Sequence, residues 1–139
     1  MNKYVETIIE LSEMALLNDD VPVGAIVVYN DKIIGKGYNK KNLTKKVTDH
    51  AEIIAINEAS KYLNDWRLDN CALYVTLEPC NMCKEVIKQA RIKDIYYLLP
   101  SNFYNEKQRK INMKLIDIND KNIIGKYRQK LTNFFESKR

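Results

Sequence analysis

Histidine occurs once in this chain of 139 residues, at position 50, and there are only three cysteines and four glycines. One imidazole cannot build a centre of several histidines, so a metal site here must draw on other ligand types. Three cysteines, an odd number that includes a close pair, do not form the even framework of a small secreted protein. They point to metal or catalytic use in a reducing compartment. No Pro/Gly/Ser linker, internal repeat or low-complexity tract divides the chain, and its 45% hydrophobic content is enough for a sizeable core, so residues 1–139 read as a single domain. The N-terminal stretch "MNKYVETIIELSEMALL" has no uninterrupted apolar run. Neither a signal peptide nor a membrane span is expected, and the protein reads as soluble and cytoplasmic.

Charge is unevenly placed. Residues 1–83 carry 9 Lys+Arg against 12 Asp+Glu, whereas residues 84–139 carry 14 against 6. A second basic excess, "KGYNKKNLTKK", sets Lys36, Lys40, Lys41, Lys45 and Lys46 directly before the histidine with no intervening acid. Such clusters neutralise phosphates, and they also occur as solvated surface in a lysine-rich chain.

Periodicity gives the elements. "VETIIELSEMALL" spaces apolar residues by three and four and predicts an amphipathic helix ending near Asn18. In "VGAIVVYNDKIIGKGYN" two β-branched runs meet at Asn30-Asp31, the pattern of a hairpin. "DHAEIIAINEASKYL" predicts a helix with Thr48 or Asp49 available as its N-cap. "CALYVTL" reads as a buried strand, "PCNMCKEVIKQARI" as a helix with Pro79 at its first position, and "KDIYYLLP" as another strand. Leu131, Phe134 and Phe135 give "KYRQKLTNFFESKR" the apolar face of a terminal helix. Strands alternating with helices predict an α/β sheet covered on both faces.

The chemistry-bearing residues fall at two of these helix beginnings. His50 and Glu52 lie in the predicted first turn of one helix, Cys80 and Cys83 in that of another. Cysteines three apart project from one helical face, and the positive end of the helix dipole favours the thiolates that zinc requires. His50, Cys80 and Cys83 supply three ligands of types suited to zinc and leave a fourth tetrahedral position open for water, as in catalytic zinc sites. Only Cys71 could close that position with another soft ligand; it also reads as a small buried strand residue. Zinc bound in this way acidifies its water. Glu52, outside the coordination shell, can then accept a proton and deliver it to a substrate nitrogen and a leaving group.

"HAE" followed by "TLEPCNMC" resembles the H-x-E…P-C-x-x-C signature of the zinc-dependent cytidine/deoxycytidylate deaminase superfamily. "DVPVGAIVV", "GKGYN", "DHAEIIAI", "LYVTLEPCNMC" and "FFESKR" resemble successive segments of its bacterial tRNA-specific adenosine deaminases. The resemblance implies a three-layer α/β/α cytidine-deaminase-like fold, with a central mixed sheet of about five strands and helices on both faces. It implies hydrolytic deamination of adenosine to inosine at the wobble position of a tRNA anticodon, by zinc-bound hydroxide with Glu52 as proton shuttle. It also implies one zinc per chain, Asn39 as hydrogen-bond partner of the flipped base, Val23 and Gly24 in the pocket wall, and a homodimer. Lys40, Lys41, Lys45, Lys46, Lys138 and Arg139 become candidate RNA contacts. Glu78, directly before Pro79-Cys80, has a structural or a catalytic role open to it.

After "DIYYLLP" the tRNA-editing branch typically carries a glycine-rich segment, where this chain has "SNFYNEKQRKINMK". A zinc-dependent deaminase of a free nucleobase, nucleoside or nucleotide, of cytosine, guanine or adenine type, is therefore the second reading. A zinc-stabilised binding module without catalysis is the third. Glu52 and the open coordination position speak against that last one, since a structural site needs no proton shuttle.

Overall fold

The computed structural model describes residues 2–101, 111–117 and 120–138. The chain divides into two compact units, Met1–Asn105 and Glu106–Arg139. The first contains α1 (Lys3–Leu17), β1 (Gly24–Tyr29), β2 (Lys32–Tyr38), α2 (Lys41–Thr44), α3 (Ala51–Leu63), β3 (Cys71–Leu77), α4 (Asn81–Gln89) and β4 (Asp94–Leu99). The second contains α5 (Lys121–Ser137).

A four-stranded mixed sheet of order β2-β1-β3-β4 organises the first unit, with β1 antiparallel to both neighbours and β3 parallel to β4. The described residues thus hold four strands against the five or so expected. The hairpin turns where the sequence placed it, with both Asn30 (φ 50°) and Asp31 (φ 61°) left-handed. Two successive left-handed residues match the twist of the flanking strands, and Asn and Asp tolerate the conformation better than most side chains. Opposite the step from Val27 to Val28 the register shifts by one residue, leaving Ile34 as the extra residue of β2 and burying Ile34 and Gly35 in succession.

Side-chain alternation separates two cores. Ala25, Val27, Leu73 and Val75 face Ala51, Ala55, Ala59 and Ile56 of α3 and Ile87 of α4. Ile26 and Val28 face Ile8 and Leu11 of α1, with Tyr4 and Tyr74 packed alongside. The three-layer arrangement follows: α1, sheet, then α3 with α4. No helix among the described residues is long and apolar enough to cross a membrane.

Two glycines position α3. A Cβ on Gly37 would fall against the Ala51 carbonyl and the Ala55 N–H, and one on Gly35 against the Ala55 carbonyl. Only glycine lets the helix backbone rest directly on β2, and that contact fixes where α3 begins.

In the second unit, Asp120 caps α5 by accepting from the Asn122 N–H at 2.9 Å. Ile124, Tyr127, Leu131 and Phe134 recur at three- and four-residue spacing along the helix, which begins earlier than the sequence suggested. Phe134 and Phe135 meet edge to face at 5.5 Å, and Lys138 Nζ lies 5.6 Å from the Phe134 ring centre. Arg139 and most of "SNFYNEKQRK" lie outside the described residues.

Candidate active site

The N-terminal ends of α3 and α4 come together beside the carboxyl end of β3. His50 and Cys80 do not lie within the first helical turns, as the spacing suggested, but immediately before them, as N-cap residues with extended backbone. Extended geometry there turns each side chain away from its helix and toward the other. Cys83 lies in the first turn of α4 and is fully buried. Pro79 stands two residues ahead of α4 instead of opening it.

His50 Nδ1 lies 3.5 Å from Cys83 Sγ and 3.8 Å from Cys80 Sγ. All three donor atoms fall within 4.8 Å of one another. Tetrahedral bond lengths to nitrogen and sulfur separate two such ligands by about 3.6 Å, so these side chains could hold one metal ion without rearrangement. Cys71 is buried at the start of β3 and is not part of the group. It packs in the core, the second of the two roles open to it.

The electrostatics of the group suit its chemistry. The hydrogen bond from Cys83, then that from His50, pulls Cys80 down to about 3, which favours its thiolate form. Cys83 is pushed up by its hydrogen bond to Cys80 and by burial. The Cys80 hydrogen bond raises His50, and burial is the main effect opposing that rise. Glu52, 4% exposed in the first turn of α3, is raised above the ordinary carboxylate range mainly by burial. A buried carboxyl beside a group of side chains that could hold a metal ion is a common setting for a general acid–base.

Neither Thr48 nor Asp49 caps α3. The Ala51 N–H instead donates to Asn39 Oδ1 at 2.8 Å, from the end of β2, while the Asn39 N–H donates to the Val23 carbonyl at 3.2 Å. Asn39 therefore ties the hairpin to the helix that carries Glu52, and its Nδ2 remains a donor. Val23 is buried in the core on the α3 side. Gly24 admits the α1 backbone on the opposite face, and its N–H donates to Thr76 Oγ1 at 3.2 Å.

Glu78 is a brace for the same turn. Its Oε1 accepts from the N–H and hydroxyl of Ser101 at 3.0 and 3.2 Å, and its Oε2 pairs with Lys84 at 3.3 Å. These donors, the Ser101 N–H first, hold its carboxyl below the usual range. The arrangement is the structural role among those left open for Glu78. Outside this group one buried acid was not foreseen: Asp20, which accepts from the Asn42 N–H 22 residues away. No local signal marks such a pair.

A model of the MafB19-like deaminase family matches residues 1–139. The chain belongs to that family. Among curated relatives, this MafB19-like deaminase is 39% identical over 134 residues to a tRNA-specific adenosine deaminase of Buchnera aphidicola (subsp. Schizaphis graminum), covering 88% of this chain and 85% of the relative. It is 49% identical over 82 residues to the chloroplastic tRNA(adenine(34)) deaminase of Arabidopsis thaliana, covering 59% of this chain but only 6% of that much longer protein. The resemblance drawn from "HAE" and "TLEPCNMC" is thus borne out. A solved structure from studies of A-to-I editing by tRNA:A34 deaminases at the wobble position of transfer RNA is similar, with 38% identity and a TM-score of 0.69 over 70% of this chain and 75% of that one. A guanine deaminase structure from Bacillus subtilis has 26% identity and a TM-score of 0.77 over 93% of this chain and 95% of that one.

Proposed function

We propose that this deaminase converts adenosine to inosine at the wobble position of a tRNA anticodon, with residues 1–139 acting as one catalytic domain. The reading is supported above all by a buried Glu52 beside the His50, Cys80, Cys83 group, in a chain 39% identical to a tRNA-specific adenosine deaminase. The three ligands would hold one zinc per chain, which when bound supplies an acidified water as nucleophile.

The protein's own side chains do the rest. Glu52 takes the proton of the attacking water and passes it to the purine ring nitrogen. The carboxyl then serves the departing amine, so that water and adenosine become ammonia and inosine. Its raised proton affinity suits both halves of that transfer. Asn39 Nδ2 would donate to the flipped base, with its orientation set by the Ala51 N–H. Val23 and Gly24 would border the base through their backbone. Lys40, Lys41, Lys45 and Lys46, with Lys138 and Arg139, would meet the phosphates of the anticodon region. A cytoplasmic homodimer completes the reading.

A second reading, deamination of a free nucleobase, nucleoside or nucleotide, is favoured by the extent of the likeness to the guanine deaminase. The two separate in one assay of zinc-loaded protein on a tRNA anticodon stem-loop and, side by side, on guanine, adenosine, cytosine and cytidine. Inosine in the stem-loop, with activity falling steeply as salt rises, is the expected result. Efficient salt-insensitive turnover of a neutral small substrate, with none on RNA, would establish the second reading. Elemental analysis should find about one zinc per chain, lost together with activity in Cys83→Ala.

A further inference from the structure

The described residues contain two buried charged side chains, Glu52 at 4% and Asp20 at 6% exposure. Burying a carboxylate is costly unless it is hydrogen-bonded. Glu52 belongs to the chemistry, whereas Asp20 is not part of the ligand group and forms no ion pair among the described residues. Its carboxylate receives the Asn42 N–H at 3.0 and 3.3 Å, and the Asn42 amide returns a hydrogen bond to the Asp19 carbonyl at 2.8 Å. The acceptors are themselves held: Asp19 is left-handed with φ 57°, and the Asp20 N–H donates to the Ala15 carbonyl at 3.0 Å.

Asn42 lies in α2, a helix of four residues with none buried. So short a helix cannot sustain itself, and no apolar face anchors it. Its position rests on polar contacts: the latch to Asp19 and Asp20, and the Lys40 N–H donating to the Asp49 carbonyl at 3.0 Å. Lys45, left-handed at the end of α2, returns its Nζ to the Asn42 carbonyl at 2.9 Å. Lys40, Lys41, Lys45 and Lys46 all ride on this segment, which runs from Asn39 to His50.

We propose that Asp20 is a positioning residue for the lysine-bearing segment 40–46, setting affinity for the RNA substrate without acting in the chemistry. The proposal rests on the tRNA reading above. The hydrogen bonds of Asn39 with Ala51 and Val23 involve none of Asp19, Asp20 and Asn42. Loss of Asp20 should therefore spare the ligand group and Glu52 while freeing the lysines to wander. Binding would then carry the cost of re-ordering them, which appears in KM and not in kcat.

The test uses zinc-loaded wild type, Asp20→Asn and Asn42→Ala with an anticodon stem-loop, together with amide hydrogen exchange of residues 40–49. Asp20→Asn should raise KM about tenfold, the usual scale for losing a charged hydrogen-bond acceptor. Asn42→Ala should raise it less, and both should keep kcat and zinc content while speeding exchange at residues 42–45. Faster exchange with an unchanged KM would overturn the proposal. A fall in kcat at constant KM would place Asp20 in the chemistry and overturn it equally. If Asp20→Asn does not fold, Asn42→Pro decides, because it removes the backbone N–H that Asp20 accepts, and an unaltered KM there is again fatal. Absence of any turnover or binding of RNA by wild type removes the tRNA reading and this proposal with it. The exchange data then separately report whether the latch itself exists.

Discussion

On one face of the sheet α3 lays alanines on glycines; on the other α1 lays isoleucine and leucine on isoleucine and valine. Where Gly35 and Gly37 meet Ala51, Ala55 and Ala59, backbone touches backbone, and no rotamer can absorb a shift. Where Ile8 and Leu11 meet Ile26 and Val28, side chains can adjust. The site is built on the first kind of contact. His50 and Glu52 sit at the very start of the helix whose height above the sheet the two glycines fix. Gly24 likewise admits the α1 backbone on the other face, but none of His50, Cys80 and Cys83 is carried by that helix.

Paired substitutions can break this contrast. The largest effect is expected from Glu52→Ala, which should lose turnover by roughly 100-fold or more while keeping bound metal. Its counterpart Ile8→Ala, on the α1 face, should cost about 2–5 kcal/mol in denaturant unfolding and leave kcat intact. Metal loss from Glu52→Ala, or a collapse of kcat in Ile8→Ala, would show that the faces are not separate in function.

Next in size is a matched pair of glycine substitutions. Gly37→Ala drives a methyl into the Ala51 carbonyl, and Gly24→Ala drives one into the Ile8 carbonyl. Overpacking of this kind costs about 1–3 kcal/mol in either place. Only Gly37→Ala should also weaken zinc retention and lower activity. Equal metal content in the two variants, measured against a chelator, would count against the positional role of α3.

A smaller effect in the opposite direction is expected far from the site. Asp31→Gly relieves a left-handed aspartate in the hairpin turn and should raise stability by about 0.5–1 kcal/mol with activity unaltered. Thermal denaturation checks it. Smallest of all is the contribution of Asp65, whose exposed carboxyl is held below its ordinary value first by the Arg67 N–H and then by the Arg67 guanidinium. Stability from a depressed carboxyl is complete above its unfolded value and fades as pH falls through the folded one. Asp65→Asn should therefore differ slightly from wild type at neutral pH and converge with it in acid.

Much of this molecule was legible because its signals are local. Asn30-Asp31 between two β-branched runs announced the hairpin, and helical periodicity announced α1 and α3. His50, Glu52, Cys80 and Cys83 were visible because residue type and spacing carry the coordination chemistry directly. What escaped notice depends on residues distant in sequence. The cap of α3 comes from Asn39, 12 positions before Ala51, so the nearby Thr48 and Asp49 were the natural but mistaken choice. The α2 helix is too short to show a period, and its anchor Asp20 lies 22 residues away. Pro79 suits the first position of a helix, yet Cys80 takes the cap because its side chain has to turn toward His50.

The bond from the Ala51 N–H to Asn39 Oδ1 sets fitness for folding against fitness for catalysis. An aspartate at position 39 would keep the accepting oxygen and add a negative charge at the positive end of α3, a gain by the ordinary logic of helix caps. The same exchange would erase the only donor the side chain has left. Selection for stability alone would welcome Asn39→Asp, whereas the role proposed for Asn39 toward the substrate base would oppose it. On that proposal an asparagine at this helix start is a compromise, with a little stability forgone so that the amide NH2 stays unspent.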